Sequence, residues 1–190
     1  MIVGKTVTLL PFDRKHVDLA RSWVNQADVR SGTGMEGPVS ELEHQNWYEQ
    51  LMADRSHRLF IIAQGQGEAA APIGVVGLKN IKHRSRSAEF WIYIGNSEAR
   101  RQGLASEASQ LMLEFAFNML NLHTVYLAVL ATNDGALALY RKLGFVHEGT
   151  GRERAFSDGR FVDLLSFSMT EDEFRNRYGP AAADSSRRTI

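Results

Sequence analysis

Arg100-Arg101-Gln102-Gly103-Leu104-Ala105 stands where the hydrophobic period of the chain changes. Before it, Ser87–Ile94 alternates, with Glu89, Trp91 and Tyr93 on one face and Ala88, Phe90, Ile92 and Ile94 on the other, the period of a strand. After it, Leu104, Ala105, Ala108, Leu111, Met112, Phe115, Met119 and Leu120 recur at helical spacing. A strand therefore runs into a long amphipathic helix through a turn rich in arginine and containing a glycine. The first N–H groups of a helix have no intrahelical acceptor, and the helix dipole is positive at that end. Such a turn suits an anion such as a pyrophosphate. Gly103 has no Cβ and lets a ligand approach the backbone, Ala105 is the next smallest choice, and Arg100 and Arg101 add charge. The same residues also fit an ordinary strand-to-helix connection with solvated arginines, and by themselves they leave both readings open.

Downstream, Thr124–Leu130 is β-branched and apolar and reads as a strand. Asn133 and Asp134 are placed to cap a shorter helix ending at Leu143, with Gly144 as its stop. Phe145–Arg154 and Phe161–Met169 flank the hairpin dipeptide Asp158-Gly159. Thr170 with Glu173 is a capping box opening a last helix that Gly179-Pro180 closes.

Upstream, Lys5–Leu10 reads as a strand ended by Pro11, and Asp13 as the cap of a helix carrying Val17, Leu19, Ala20, Trp23 and Val24. Ser31–Pro38, rich in small residues, is expected as a loop. Ser40 with Glu43 opens a second helix bearing Trp47, Leu51 and Met52. Leu59–Ala63, Ile73–Lys79 and Ser87–Ile94 form an antiparallel meander by their short connections. The whole predicts an α+β (mixed α/β) fold with helices packed on a twisted, mostly antiparallel sheet. Residues 1–179 form one domain, and 180–190 read as a flexible C-terminal tail.

The chain has 190 residues, enough for one domain with a real core, and its 44% apolar content is ordinary for a globular protein. Lys and Arg number 22 and Asp and Glu 22, so the charge balance does not point to a nucleic-acid partner. No apolar run approaches the about 20 residues of a membrane span, and the N-terminus lacks the layout of a signal peptide. The expectation is a cytoplasmic protein with no membrane partner. There is no cysteine, which excludes disulfides and thiolate nucleophiles. The histidines at 16, 44, 57, 83, 123 and 147 show no metal-ligand spacing, and no metal is expected.

About thirty residues beyond the arginine-rich turn stands Thr132-Asn133-Asp134-Gly135-Ala136-Leu137-Ala138-Leu139-Tyr140-Arg141-Lys142-Leu143-Gly144-Phe145. The two segments, in this order and spacing, resemble the acetyl-CoA signature of the GNAT superfamily of N-acetyltransferases. That pattern is Gln/Arg-x-x-Gly-x-Gly/Ala at the pyrophosphate turn, then Asn, a short helix bearing Ala and Tyr, and Gly-Phe. The pair of segments is far more specific than either half, and the resemblance runs from Val7 to about Met169. Pro72-Ile73-Gly74, Ala88-Glu89-Phe90-Trp91-Ile92, Glu148-Gly149 with Arg152, and Asp158-Gly159-Arg160 with Asp163 are similar to the RimJ/RimL branch. Members of that branch acetylate protein N-termini, polyamines, aminosugars and other small amines.

The resemblance implies a GNAT-like central sheet of roughly seven strands, helices on both faces, and a splay between the two central strands. It implies an acetyl-CoA-dependent N-acetyltransferase that works by direct attack in a ternary complex. The acceptor would be an amine, either a small molecule or a protein N-terminus. The alternatives are another acyl-CoA donor, or a catalytically silent CoA-binding module. Ile92, Tyr93 and Ile94 would run beside the pantetheine arm. Arg100, Arg101, Gln102, Gly103, Leu104, Ala105 and Ser106 would hold the phosphates. Asn133 would bond the cofactor arm or hold the splay open, and Ala136 would lie against the cofactor. Tyr140 would sit beside the thioester sulfur as general acid, a phenol of pKa about 10 being matched to a departing thiolate. Glu89 corresponds in spacing to the base glutamate of histone-acetylating members; the other reading of it is a strand carboxylate held in an ion pair. The glutamate that another branch carries in the next strand is Ala128 here.

Trp47, Glu89, Trp91, Phe161 and Asp163 are candidates for the acceptor groove, and each has a structural reading beside it: core packing for the aromatics, ion pairing for the acids. Exposed edge strands in such sheets often pair, so a homodimer is an expected assembly.

Overall fold

The computed structural model describes residues 1–35, 37–67 and 69–179; the tail expected over 180–190 lies outside them. The strands are β1 (Ile2–Val3), β2 (Val7–Pro11), β3 (Arg58–Gln64), β4 (Ala71–Lys82), β5 (Ser87–Ile94), β6 (Thr124–Leu130), β7 (Val146–Ser157) and β8 (Arg160–Thr170). The helices are α1 (Val17–Val24), α2 (Ala27–Thr33), α3 (Glu41–Ala53), α4 (Leu104–Glu114), α5 (Asp134–Leu143) and α6 (Glu171–Tyr178). All eight strands join one sheet in the order β1-β2-β3-β4-β5-β6-β8-β7. Every neighbouring pair is antiparallel except β5 and β6, which run parallel. A parallel pair needs a crossover, and α4 supplies it.

The local signals act as the sequence predicts at most ends. Ser40 and Glu43 close a reciprocal capping box at α3, and Thr170 and Glu173 do so at α6. Gly144 ends α5 at φ 95°, in the left-handed region. Asp13 caps a short 3-10 turn, Arg14–His16, which leads directly into α1.

Three features depart from the sequence reading. β1 is a two-residue strand paired on β2, too short to carry a period, and brings the strand count to eight. The loop expected over Ser31–Pro38 contains the end of α2. This seven-residue helix is defined by its contacts with the rest of the protein more than by its own weak pattern. The long helix begins as α4 and finishes in a π-helical segment, Phe115–Met119.

The sheet buries both faces. On one, Phe90, Val125 and Leu127 pack with Ala108 and Met112 of α4 and with Leu137 and Leu143 of α5. On the other, Ile61, Ala63 and Val75 pack with Ala20 and Trp23 of α1 and Leu51 of α3, with Trp91 and Tyr93 partly buried beside them. The alternation read along Ser87–Ile94 therefore sorts its side chains between two cores. At the end of β5 the two layers meet closely. A Cβ added to Gly95 would fall within 2.6 Å of three Trp23 side-chain atoms. Gly95→Ala is therefore expected to lower stability by about 1–3 kcal/mol through overpacking. Thermal or urea unfolding checks this, and an unchanged midpoint would mean that α1 shifts away without cost.

Candidate active site

β5 and β6 pair only over Ser87–Glu89 and Thr124–Tyr126. Beyond these residues the strands part, although each stays paired on its other side: β5 with β4 as far as Ile94, and β6 with β8 as far as Leu130. The gap opens into a cavity of about 1000 Å³. Phe90–Tyr93 line one wall and Ala128–Leu130 the other; Asn133, Ala136 and Tyr140 of α5 and the C-terminal end of α2 also face it. The Gly95 N–H donates to the Ile73 carbonyl at 2.9 Å. Alternation along the antiparallel pair then turns the backbone of Tyr93 and Trp91 toward β4, and that of Phe90, Ile92 and Ile94 toward the gap. Of the three residues expected beside the pantetheine arm, Ile92 and Ile94 present backbone, whereas Tyr93 presents its ring. Burial pushes the Tyr93 phenol well above the usual tyrosine range.

The arginine-rich turn lies between the end of β5 and α4. Gly103 has φ 81° and Arg101 φ 60°, and a Cβ on Gly103 would meet open space. Among the described residues, no hydrogen-bond acceptor engages the N–H groups of Arg101, Gln102, Gly103, Leu104 and Ala105. Those of Ser106 and Glu107 already donate to the Gly103 carbonyl, at 3.0 and 3.2 Å. Five consecutive free donors at a helix start form an anion cradle. The side chains divide. Arg101 is exposed. Gln102 donates to the Glu98 carbonyl at 2.6 Å. Arg100, expected among the phosphate ligands, instead donates to the Ile94 carbonyl at 3.1 Å and pairs with Asp28 of α2. It ties the end of β5 to α2, and the Arg100 guanidinium holds the Asp28 carboxyl below its ordinary range.

Asn133 caps α5 by accepting from the Ala136 N–H at 3.1 Å, and its amide donates to the Gly32 carbonyl at 3.0 Å. It thus joins α5 to α2 at the cavity mouth. Tyr140 is buried and packs edge-on to Phe90 and Phe145, at centroid distances of 6.2 and 5.9 Å. Burial pushes its phenol up to about 12, so it keeps its proton at any physiological pH.

Trp47 and Trp91, candidates for the acceptor groove, both line the cavity. Glu89 lines it too, with Lys79 at 3.0 Å and the Asn80 amide at 3.0 Å on its carboxylate. Phe161 and Asp163 are not brought to the site. They lie near the tip of the β7–β8 hairpin, two strands away from β5, and the β8 residue that reaches the cavity is Leu164. Phe161 is 66% exposed and packs on Phe156. The Asp163 carboxylate accepts the Glu153 N–H at 2.9 Å, bridging a register shift in β7. His44 was not singled out by sequence. It is buried, lines the cavity and lies 4.8 Å from the Trp47 ring. The spacing His44, Trp47, Leu51 marks one helical face and is the signal that could have found it.

Comparison with known proteins agrees with this geometry. Residues 6–146 match the family model described as acetyltransferase (GNAT) domain. The spermidine N(1)-acetyltransferase of Escherichia coli is 31% identical over 169 residues, 89% of this chain and 88% of the relative. That of Vibrio cholerae is 31% identical over 175 residues, 92% and 99% of the two chains. The crystal structure of spermidine N-acetyltransferase from Vibrio cholerae in complex with CoA and spermine superposes with a TM-score of 0.84 at 30% identity, covering 90% of this chain and 99% of the other. A dodecameric structure of the same Vibrio cholerae enzyme superposes with a TM-score of 0.78, also at 30% identity, covering 92% and 99% of the two chains. Among the described residues, no helix is long and apolar enough to cross a membrane.

The free donors at the turn carry a direct test. Gly103→Glu is expected to abolish CoA binding in a calorimetric titration. The carboxylate would face the pyrophosphate, and φ 81° strains any residue with a Cβ. Unchanged affinity would remove this turn from the site.

Proposed function

This chain belongs to the GNAT acetyltransferase family, and we propose that within it the acetyl acceptor is a primary alkylamine of the polyamine type. The reaction class is acetyl transfer from acetyl-CoA to an amine. The parting of β5 from β6 carries the reading of how it is done: it leaves a strand edge, an anion cradle and a buried phenol around one cavity.

In this reading the pantetheine arm adds to β5 along the free backbone of Phe90, Ile92 and Ile94, as an extended ligand adds to a sheet edge. The pyrophosphate sits on the N–H groups of Arg101–Ala105, with Arg101 supplying charge. Arg100 and Asn133 act at one remove, holding α2 against the cofactor side. Ser106 and Ala136 border the cofactor without offering free N–H groups. An amine attacks the thioester carbonyl from the side of α3. A backbone N–H of the Phe90–Ile94 edge stabilises the oxyanion. Tyr140 donates its proton to the departing thiolate. Burial keeps the phenol in its protonated, donating form at neutral pH.

The polyamine class is supported by the two relatives that share about nine-tenths of this chain, and by the aromatic faces of Trp47 and Trp91, which attract cations. Among the described residues, Glu43 and Glu89 are the carboxylates of the lining, with Lys79 set against Glu89. The finer placement in the RimJ/RimL-like branch rests on the Ala88–Ile92 and Asp158–Arg160 segments. The catalytic unit is a single domain over residues 1–179, supported by one sheet running from β1 to β8. A cytoplasmic setting is where its co-substrate is made and used. Self-association is supported by the edge strand β7 and by exposed Phe156 and Phe161 at the hairpin tip.

Release of CoA thiol from acetyl-CoA, measured with spermidine, spermine, N-terminal peptides, aminosugars and amino acids, is expected to be fastest with the polyamines. Preference for another class would overturn the acceptor assignment. Tyr140→Phe is expected to lower kcat by about 10–10²-fold with little change in KM for acetyl-CoA. In the wild type, no loss of activity from Tyr140 ionisation is expected until the pH approaches about 12. An alkaline limb at pH 9 that Tyr140→Phe removes would contradict the buried, protonated phenol.

A further inference from the structure

An alkylammonium cannot attack a carbonyl until it loses a proton, so the acceptor side of the cavity must offer or lead to a base. Glu89 is encumbered there. A lysine ammonium and an amide N–H, both at 3.0 Å, already occupy its carboxylate. His57 is also held: its Nδ1 lies 2.9 Å from the Asp54 carboxylate and 3.2 Å from Ser56 Oγ.

His44 is different. It is only 5% exposed, it lines the cavity, and its Nδ1 is buried without a hydrogen-bond partner among the described residues. Buried polar atoms are normally paired, and one that is not calls for a reason. With Nδ1 sealed from solvent, Nε2 is the nitrogen that can meet an occupant of the cavity. Trp47 packs against the ring at a centroid distance of 4.8 Å and an interplanar angle of 35° and fixes its orientation. The charged groups acting on it come from α1: the Arg21 guanidinium, whose Nε is also buried with no partner among the described residues, and Asp18. On its own helix, Glu43 turns back to Ser40. Lys79, Glu89 and His57 line the same cavity from the sheet side. Burial first, then Arg21, holds the imidazole below its ordinary pKa, with Asp18 opposing, so the ring is neutral at neutral pH and carries a free lone pair.

We propose that His44 is the proton acceptor for the incoming amine, taking through Nε2, directly or across one water, the proton that the ammonium must lose before attack. This rests on the amine-acetylating reading above. His44 takes one proton from the ammonium, and the freed nitrogen lone pair forms the bond to the thioester carbonyl carbon. The tetrahedral intermediate collapses with cleavage of the C–S bond. The thiolate takes its proton from Tyr140, which recovers one from the new amide nitrogen. His44 then passes its proton to water, so one proton is released per acetyl group transferred.

The test compares wild type, His44→Gln and His44→Ala in the CoA-release assay from pH 5.5 to 9, with acetyl-CoA affinity measured by calorimetry for each. His44 is active when neutral, so the wild-type kcat/KM for the amine should fall on the acid side of an inflection below pH 6.5. His44→Gln should lose that inflection and about 10–10²-fold of kcat/KM at neutral pH while binding acetyl-CoA normally. Added imidazole should restore activity to His44→Ala several-fold and leave the wild type unchanged. A His44→Gln enzyme that keeps the acid inflection and stays within threefold of wild type overturns the proposal. So does a His44→Ala enzyme that binds acetyl-CoA yet gains nothing from imidazole. Should His44→Ala fail to fold, the pH profile of His44→Gln decides. Wild-type transfer to an amine tests the preceding reading, and only the comparison of variants with wild type tests this one.

Discussion

The structure turns on how little β5 and β6 touch. Three residues of each strand pair, and the remainder diverge. Unpaired strand edges are costly inside a protein, because each N–H and C=O needs a partner. Here the cost is contained, since β4 and β8 hold the two strands from their outer sides and the gap faces a cavity rather than packed core. The free edge is therefore both a defect in the sheet and the surface on which an extended ligand can complete it. The parallel pairing with its α4 crossover provides that edge, with the anion cradle at the start of the same helix.

A second theme is the service done by polar side chains that touch no substrate. Arg100 joins the end of β5 to Asp28, Asn133 joins the cap of α5 to Gly32, and Asp158 at the hairpin tip accepts from Ser31. All three ties converge on α2, a helix of seven residues with one buried residue, Val29. So short a helix is not stable by itself. Its place over the cavity depends on these bonds, which link the acceptor wall to the cofactor turn, to α5 and to the late hairpin. Residues that look like phosphate ligands in sequence can in this way serve as struts.

The two walls of the cavity also differ in electrostatic character. The cofactor side has Tyr140, buried and kept as a neutral phenol. The α3 side has a paired carboxylate, a paired histidine and His44, whose Nδ1 has no hydrogen-bond partner among the described residues. Amine acetylation asks for a proton to be taken at one end and given at the other. Burial holds both Tyr140 and His44 in their neutral forms.

Local pattern by itself determined most of the elements: the change of period at Arg100–Ala105, the capping boxes at Ser40 and Thr170, the stop at Gly144 and the alternation that divides β5 between two cores. These are properties of neighbouring residues, so spacing reveals them. The two signature segments also carried the family, because close approach of a backbone to phosphates demands glycine and a free helix start wherever it occurs. Only the tertiary structure decided what each charged side chain does. It turned Arg100 toward Asp28 rather than outward, set Lys79 against Glu89, kept Phe161 and Asp163 out on the hairpin, and placed His44 in the cavity wall. The physical reason is range. Hydrogen bonds and ion pairs are made between strands and helices distant in sequence, and burial, which sets the protonation state of Tyr140 and His44, belongs to the folded whole.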